Sequence, residues 1–322
     1  MRMALFQVFV GIDVSRDWLD VHILPFRRRL RVANTPAGWR ELAASLAEHP
    51  QASIALEASG GYERGILHHL VAAGWQAHCV DPYKVRQFAR AGGRRAKNDR
   101  IDAETIARYL ATFTLQPARI DPPIERLCEH VTYRRQLIEE RTAVANQARL
   151  LCDPRLRRLS RQRLARLDTL IQRLDQSLAE QIAGDPRIAA KAAVLQTVKG
   201  VGPILTATLL GLLPELGTIC RRKIAALVGL CPYDFDSGRF AGQRHIAGGR
   251  KHVRNALYMP TLTAMRFDPA IKPFYERCVA GRSDKKPAVI AAMRKLLTIL
   301  NARMRDHLAS LNHLNQNLQA AQ

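Results

Sequence analysis

The sequence lacks a membrane-spanning segment and a secretion signal. No uninterrupted apolar run reaches the roughly 18 residues that a membrane helix needs. The first ten residues, Met1 to Val10, contain no signal-peptide cleavage pattern. We therefore expect a soluble cytoplasmic protein that has no membrane partner.

The sequence also lacks paired cysteines. Its six cysteines are scattered singly, and no Cys-x-x-Cys pair occurs. Zinc knuckles and disulfide frameworks both depend on closely spaced or regularly repeated cysteines. Both are excluded as organising features, and we expect the cysteines to be reduced.

Acidic residues are scarce relative to basic ones. Lys and Arg number 50 against 28 Asp and Glu, which gives a formal charge of +22 over 322 residues. Hydrophobic residues make up 47% and charged residues 24%, values typical of a globular protein, so the charge belongs to a folded surface. A polyanionic partner is the leading inference, and we expect the protein to associate with the nucleoid.

Residues 1–120 alternate short β-rich runs with helical stretches, which predicts an α/β domain. Three early strands form a meander, a helix follows from Pro36, and two further strands alternate with helices. This is the element order of a ribonuclease-H-like fold. The predicted strands are Phe6–Val14, Trp18–Leu24, Arg29–Ala33, Ser53–Glu57 and Gln76–Val80.

Residues 121–188 and 189–322 are predicted to be all-α. The first segment has Leu and Ile at helical spacing and a break at Cys152-Asp153-Pro154, which indicates a long helical hairpin or coiled coil. It acts either as a spacer or as an arm for self-association, and the second interpretation is favoured. The last segment is a helical domain with glycine and proline punctuation.

Four carboxylates in the first domain stand out. Asp13 and Glu57 each end a hydrophobic strand, where burial of an acid is costly without a cation or partner. Asp99 and Asp102 lie three apart at the start of a helix and share a face. Clustered carboxylates suit hard cations, Mg²⁺ or Mn²⁺, and two such ions can clamp a phosphodiester.

Each acid also has an ordinary interpretation. Asp99 can be a helix N-cap and Asp102 a surface charge. The Gly11-Ile12-Asp13 strand end also occurs in the first phosphate loop of actin-like sugar kinases. Those loops continue with small residues, whereas the bulky, charged Ser15-Arg16-Asp17-Trp18 follows here, which argues against a kinase.

The last domain contains two glycine-rich segments. Lys199-Gly200-Val201-Gly202-Pro203 is typical of a helix-hairpin-helix, whose backbone N–H groups can contact a phosphate. Further on, Ser237-Gly238 lies in a basic loop with glycines on both sides. Ser237 is a candidate nucleophile, which Asp234, Asp236 or His245 could activate.

Together these residues resemble a known family, the insertion-sequence transposases with an N-terminal four-carboxylate (DEDD) domain and a C-terminal serine domain, which are bridge-RNA-guided recombinases. The resemblance covers nearly the whole chain. It depends on Gly11-Ile12-Asp13, Glu57-Ala58-Ser59-Gly60-Gly61-Tyr62, Asn98-Asp99-x-x-Asp102-Ala103, Gly200-Val201-Gly202, Ser237-Gly238 and Arg254-Asn255-Ala256-Leu257-Tyr258-Met259.

The resemblance implies that Asp13, Glu57, Asp99 and Asp102 bind divalent metal and that Ser237 forms a covalent link to DNA. It also implies a tetramer with composite sites, and an element-encoded guide RNA that pairs with donor and target DNA duplexes. The residues expected to contact nucleic acid are Lys97, Lys199, Gly200, Gly202, Arg239, Arg244, Arg250, Lys251 and Arg254.

Two other functions remain open. A RuvC-like, metal-dependent, structure-specific nuclease would use water in place of Ser237. A nucleic-acid-binding protein without catalysis would need none of the four acids.

Overall fold

A computed structural model describes residues 7–93, 99–234, 242, 244–281 and 283–320, without the side chains of 99–101, 314, 315 and 317–320. The chain divides into two compact units, Met1–Ile120 and Asp121–Gln322. It is a mixed α/β protein that is mostly helical, as the sequence predicts. In the described ranges, no helix is long and apolar enough to cross a membrane.

The N-terminal unit contains a five-stranded sheet. Its strands are β1 Phe9–Val14, β2 Trp18–Leu24, β3 Arg28–Ala33, β4 Ser53–Glu57 and β5 Gln76–Val80. They lie in the order β3-β2-β1-β4-β5, with β1 antiparallel to β2 and β2 to β3, and with β1, β4 and β5 parallel. The predicted meander followed by parallel strands is therefore present.

Helices cover both faces of this sheet. They are α1 Pro36–Leu46, α2 Arg64–Ala72, α3 Pro82–Ala91 and α4 Asp99–Thr112. Val10 and Ile12 of β1 point into a core with α1 and α2. On the opposite face, Ala55 packs with Ile106 and Leu110 of α4. This alternation follows from the two-residue period of a strand, and it divides the strands into two sets of side chains.

Helix α4 lies directly against β1 at Gly11. A Cβ atom at Gly11 would stand 2.2 Å from the carbonyl oxygen of Ala103 and 2.3 Å from the backbone nitrogen of Ala107. Only glycine allows the two backbones to approach this closely. Gly11 therefore fixes how near the first turns of α4 come to the strand that carries Asp13.

The C-terminal unit consists of helices and a two-stranded ribbon. Its helices are α5 Pro122–Ala148, α6 Pro154–Gly184, α7 Pro186–Gln196, α8 Pro203–Leu212, α9 Arg221–Val228, α10 Lys251–Phe267, α11 Lys272–Val279 and α12 Lys286–Ala320. The ribbon pairs β6 Pro232–Tyr233 with β7 His245–Ile246.

Helices α5 and α6 form the predicted antiparallel hairpin. Its base contributes Leu127, Val131 and Leu178 to the main core of the C-terminal unit. Farther along, a separate cluster around Leu137 and Leu167 comes from α5 and α6 alone. The distal half of the hairpin is thus held by its own packing.

Asp-Pro pairs begin several of these helices. Asp81, Asp153 and Asp185 each accept hydrogen bonds from backbone N–H groups of the first helical turn, and a proline follows each of them. The carboxylate satisfies otherwise unpaired donors, and proline is already restricted to helical φ. The break that the sequence predicts at Asp153-Pro154 is such a helix start.

Replacing Gly11 by Ala should destabilise the N-terminal unit by at least about 2 kcal/mol, because the added methyl group collides with backbone atoms. Chemical denaturation measures this. Gly92→Ala is the control, since a Cβ at Gly92 meets its nearest atoms at an ordinary 3.5 Å. Equal stability of the two variants would contradict the close approach of α4 to β1.

Candidate active site

Asp13 and Glu57 end adjacent parallel strands. The register pairs Gly11 with Ala55 and Ile12 with Leu56, and its continuation sets Asp13 beside Glu57. Asp13 lies two residues after Gly11, and Glu57 lies two residues after Ala55. Both carboxylates therefore belong to the face that α4 covers, and both residues are half-buried.

The N-terminal turns of α4 bring Asp102 to the same face. Asp102 precedes Ala103, whose carbonyl oxygen lies over Gly11, and it is also half-buried. Asp99 is the first residue of α4, and its side chain is outside the described set. The fold thus assembles Asp13, Glu57 and Asp102 on one face of the sheet from three separate chain segments.

This donor set is compatible with a hard divalent cation. Carboxylate oxygens are the ligands that Mg²⁺ and Mn²⁺ prefer. None of the three described acids lacks a partner within the protein. Among the described side chains, no three His, Cys, Asp or Glu residues already stand close enough to hold an ion. The three acids therefore fit a divalent cation by the chemistry of their oxygen ligands and by their position on one face of the sheet.

One ion pair joins α4 to the sheet next to these acids. Glu104 pairs with Arg29 of β3 at 3.4 Å and, within α4 itself, with Arg108 at 2.6 Å. The Glu104 side chain is only 14% exposed, whereas both arginines are more than half exposed. The Arg29 pair therefore links the helix to the antiparallel half of the sheet.

The loop after Glu57 is organised by Glu63. One carboxylate oxygen of Glu63 accepts hydrogen bonds from the Ser59 N–H at 3.0 Å, the Ser59 hydroxyl at 3.2 Å and the Gly61 N–H at 2.8 Å. Burial alone would raise the pKa of the Glu63 carboxyl, but these hydrogen bonds and its own backbone N–H lower it overall. Ionised Glu63 therefore stabilises this turn.

Asn34 joins the loops that follow the two acidic strands. Its amide nitrogen donates to the carbonyl of Ser15 at 2.9 Å and to that of Tyr62 at 3.2 Å. Its oxygen accepts the indole N–H of Trp39 at 2.8 Å. Because an indole can only donate, Trp39 fixes which side of the amide faces the two carbonyls.

Sequence reasoning missed both Asn34 and Glu63. Glu63 directly follows the Glu57-to-Tyr62 motif, so an acid at the end of a glycine-containing turn was a usable signal. Asn34 offers no such signal, because a single Asn before Thr35-Pro36 resembles an ordinary helix start. Its two acceptors are distant in sequence and meet only in the folded sheet.

In the C-terminal unit, a ribbon supports the loop that contains Ser237. Strands β6 and β7 pair Tyr233 with His245, and Asp234 forms an ion pair with Arg244 at 2.5 Å. Ser237, Asp236 and Arg239 lie outside the described residues, as does Lys97 of the N-terminal unit. The structure thus places both ends of the predicted serine loop side by side.

Two arginines anchor the base of this ribbon. Arg254 donates to the carbonyl oxygens of Val228 and Gly229 at 3.3 Å and of Gly248 at 2.7 Å. Arg250 binds both carboxylate oxygens of Glu215, at 2.5 and 2.6 Å. Both were predicted to contact nucleic acid, and here they have a structural role; the phosphate contact stays a prediction.

The glycine-containing turn predicted from the sequence to belong to a helix-hairpin-helix lies between α7 and α8. Gly200 has φ of +91°, and a Cβ there would stand 2.6 Å from the carbonyl oxygen of Pro260 in α10. Gly202 caps α8 and has open space around it, and Lys199 is exposed. The turn is therefore packed on one side and open on the other, and its contact with DNA stays a prediction.

A cavity of about 610 Å³ lies beside this turn, within the C-terminal unit. Gly200, Gly202, Met259 and the polar residues Arg135 and His252 line part of it. Burial lowers the pKa of His252, and the positive charge of Arg135 lowers it further. The imidazole is therefore biased towards its neutral form.

Comparisons with known proteins match both units. A transposase model for DEDD-type IS110 elements matches residues 10–153, and a model described as Transposase IS116/IS110/IS902 family matches residues 192–276. Between them the two matches cover most of the chain. The chain belongs to the IS110 family of transposases. As a member, it is a DNA-cleaving enzyme.

Relatives of this transposase align along almost its full length. The pilin gene-inverting protein of Moraxella lacunata is 28% identical over 319 residues, which cover 94% of this chain and 97% of the relative. A protein described as a transposase in Sinorhizobium fredii is 25% identical over 370 residues, covering 93% and 92% respectively.

One solved structure overlaps more weakly. Thermus thermophilus RuvC in complex with a Holliday junction substrate aligns with 35% of this transposase and 99% of its own chain, at 16% identity and a TM-score of 0.28. A TM-score this low does not establish a shared fold.

If Asp13 and Glu57 hold a divalent metal, as the sequence predicts, changing Asn34 to Asp should weaken the metal dependence of DNA cleavage while the protein stays folded. The new carboxylate would set an oxygen against the carbonyls of Ser15 and Tyr62, so the loops after Asp13 and Glu57 would separate. We expect the Mg²⁺ concentration for half-maximal DNA cleavage to rise by about tenfold or more, as for other residues that orient metal ligands. A Mg²⁺ titration of cleavage measures this.

Asn146→Asp makes the same chemical change at an exposed position of α5 and should leave the Mg²⁺ midpoint unchanged. The contrary outcome is that the Asn34→Asp protein loses cleavage activity equally at every Mg²⁺ concentration and also loses the circular dichroism of the folded state. That result would show that Asn34 has only a structural role.

Proposed function

We propose that this transposase cleaves and exchanges DNA strands through a covalent Ser237 intermediate, with a divalent metal at its four carboxylates and an element-encoded RNA as guide. The observation that carries the metal assignment is the parallel pairing of β1 with β4. It sets Asp13 beside Glu57 on the face where α4 presents Asp102.

Asp13, Glu57, Asp99 and Asp102 are the residues that would hold Mg²⁺ or Mn²⁺. The metal, when bound, would neutralise charge that develops on a phosphodiester during in-line displacement. The protein would supply the geometry: two neighbouring strand ends and the start of α4 share one face of the sheet, and Asn34 and Glu63 bond the loops that follow the two strands.

Ser237 is proposed as the nucleophile. Its hydroxyl oxygen would form a bond to phosphorus as the bond to one DNA oxygen breaks, and that oxygen would leave with a proton. The resulting phosphoserine ester conserves the energy of the broken bond. Attack by a hydroxyl of another strand would then rejoin DNA and regenerate the serine.

Two observations support strand exchange as the outcome. The Moraxella lacunata relative is named for inverting a gene, and inversion requires that cut strands be rejoined in a new order. The charge of +22 suits a protein that holds two duplexes and an RNA.

The proposed assembly is a tetramer in which the metal site of one subunit acts with the serine of another. This comes from the family resemblance. The α5–α6 hairpin remains a candidate for contacts between subunits.

A second candidate function is a metal-dependent nuclease that uses water in place of Ser237. The arrangement of Asp13, Glu57 and Asp102 favours it equally, because a carboxylate-bound metal serves hydrolysis as well as transfer.

Substitution of Ser237 separates the two candidates, and substitutions at the acids test the metal site that both of them need. Asp13→Asn and Glu57→Gln should each lower DNA cleavage by at least about 100-fold, since each removes a negative charge that would hold the divalent metal. Ser237→Ala should abolish both cleavage and the protein-DNA adduct that denaturing gels detect.

Asp17→Asn and Ser310→Ala are the matched controls, because both change exposed side chains and should retain wild-type rates. Cleavage that continues without an adduct in Ser237→Ala would establish the nuclease. Full recombination by both acid variants would refute the metal site.

The guide RNA has its own test. The protein expressed together with its flanking DNA should copurify with one discrete structured RNA encoded beside the gene, and sequencing of the bound nucleic acid identifies it. A mixture of host RNA and DNA that dissociates in high salt would instead indicate nonspecific charge binding and would refute RNA guidance.

A further inference from the structure

Positive charge is concentrated in one part of the α5–α6 hairpin. The first thirteen residues of α6, 154–166, contain six arginines and no Asp or Glu. The rest of α6, residues 167–184, contains one arginine and three acids, and α5 contains four arginines and four glutamates. An evenly solvated helix would distribute both signs along its length.

The base and middle of the hairpin use their charges in ion pairs. Arg134 pairs with Asp175, Arg141 with Asp168, and Arg163 with Glu140. These pairs connect α5 to α6 and stabilise the antiparallel arrangement. Asp175, Asp168 and Glu140 are thus already paired with arginines of the hairpin.

Several arginines farther from the base of the hairpin form no such ion pairs in the described part of the chain. Arg155, Arg158, Arg161 and Arg166 are exposed, and the described part of the chain contains no ion pair that includes them. Arg149, in the connection between the helices, is exposed as well. We call residues 149–166 the hairpin tip. Its guanidinium groups repel one another, and this cost remains until an external anion neutralises them.

We propose that the hairpin tip binds the phosphate backbone of duplex DNA outside the two sites of chemistry. This extends the proposed function, on which it depends only for the choice of DNA as the polyanion.

Residue type and spacing favour a phosphate partner. All basic residues of the tip are arginines, whose planar guanidinium groups bind phosphate oxygens in pairs. From Arg155 to Arg166 the helix rises by about 17 Å, which is close to half a turn of B-DNA. Arg155, Arg158, Arg161 and Arg166 are exposed, whereas Leu164 is half-buried and Leu167 is buried, so the basic side chains of the tip lie on its solvent-facing side.

The same charge disfavours contact between two tips. Two copies meeting there would bring fourteen arginines together against two aspartates, since each tip contains seven arginines and only Asp153 as an acid. The tip does expose Leu150, Leu156 and Leu159, at 83%, 48% and 60%, and such leucines would suit a protein contact. The experiment must therefore distinguish DNA from a second copy.

The test variant changes Arg155, Arg158 and Arg161 together to Gln, which keeps helix propensity and removes three charges. Affinity for a 5′-labelled duplex of about 30 base pairs is measured by fluorescence anisotropy in EDTA over a range of salt concentrations. Each lost phosphate contact reduces the slope of log affinity against log salt by about 0.9. We expect a reduction of between about 2 and 3 and an affinity at least about tenfold lower at low salt.

The matched control changes Arg266, Arg277 and Arg305 to Gln, three exposed arginines on other helices of the same unit. Its slope should change by less than about one. A second control, Leu156→Ser with Leu159→Ser, should bind the duplex as the wild type does.

Four results would overturn the proposal. Two concern affinity for the duplex: an equal loss of affinity in both arginine variants, or a loss of affinity in the leucine variant alone. The third is a tip variant that loses affinity for folded RNA and not for duplex DNA. The fourth is a tip variant whose molar mass in light scattering falls while its affinity for DNA is unchanged. Because EDTA prevents metal chemistry, binding is independent of the proposed active site. Asp13→Asn should bind the duplex normally even if the proposed reaction is wrong.

Discussion

The close approach of α4 to β1 at Gly11 is the constraint on which the N-terminal site depends. A helix normally stands about 10 Å from a sheet because side chains fill the space between them. At Gly11 the backbone of α4 occupies the position of the missing side chain. Asp102 is thereby carried towards the strand end that bears Asp13, and Glu104 secures the helix through Arg29. Without that contact the sheet would still form, but its acids would come from strands alone.

The C-terminal unit meets a similar requirement with different interactions. Its ribbon is too short to be stable by itself, since it pairs only two residues on each side. Hydrogen bonds from Arg254 to three carbonyl oxygens and the bidentate pair of Arg250 with Glu215 replace the missing strand pairing. The glycines at positions 229 and 249 allow these segments to touch, because a side chain at either would collide with backbone atoms.

Much of this arrangement could be predicted from the sequence. Short β-rich runs predicted the strands, and Leu and Ile at helical spacing with a break at Asp153-Pro154 predicted the hairpin. Asp13 and Glu57 were recognisable because an acid at the end of a buried strand is costly. The roles of Asn34 and Arg254 could not be predicted, since each depends on acceptors brought together only by tertiary structure. The spacing of hydrophobic residues indicates which side chains will be buried. It does not indicate which carbonyl oxygen a polar side chain will contact.

The firmly bonded base of the ribbon also has a consequence for protein engineering. The hydrogen bonds of Arg250 and Arg254 and the ion pair of Asp234 with Arg244 fix the two strand ends on either side of the intervening residues. A segment exchanged between Asp234 and Arg244 would therefore enter the fold at two ends whose separation is already set.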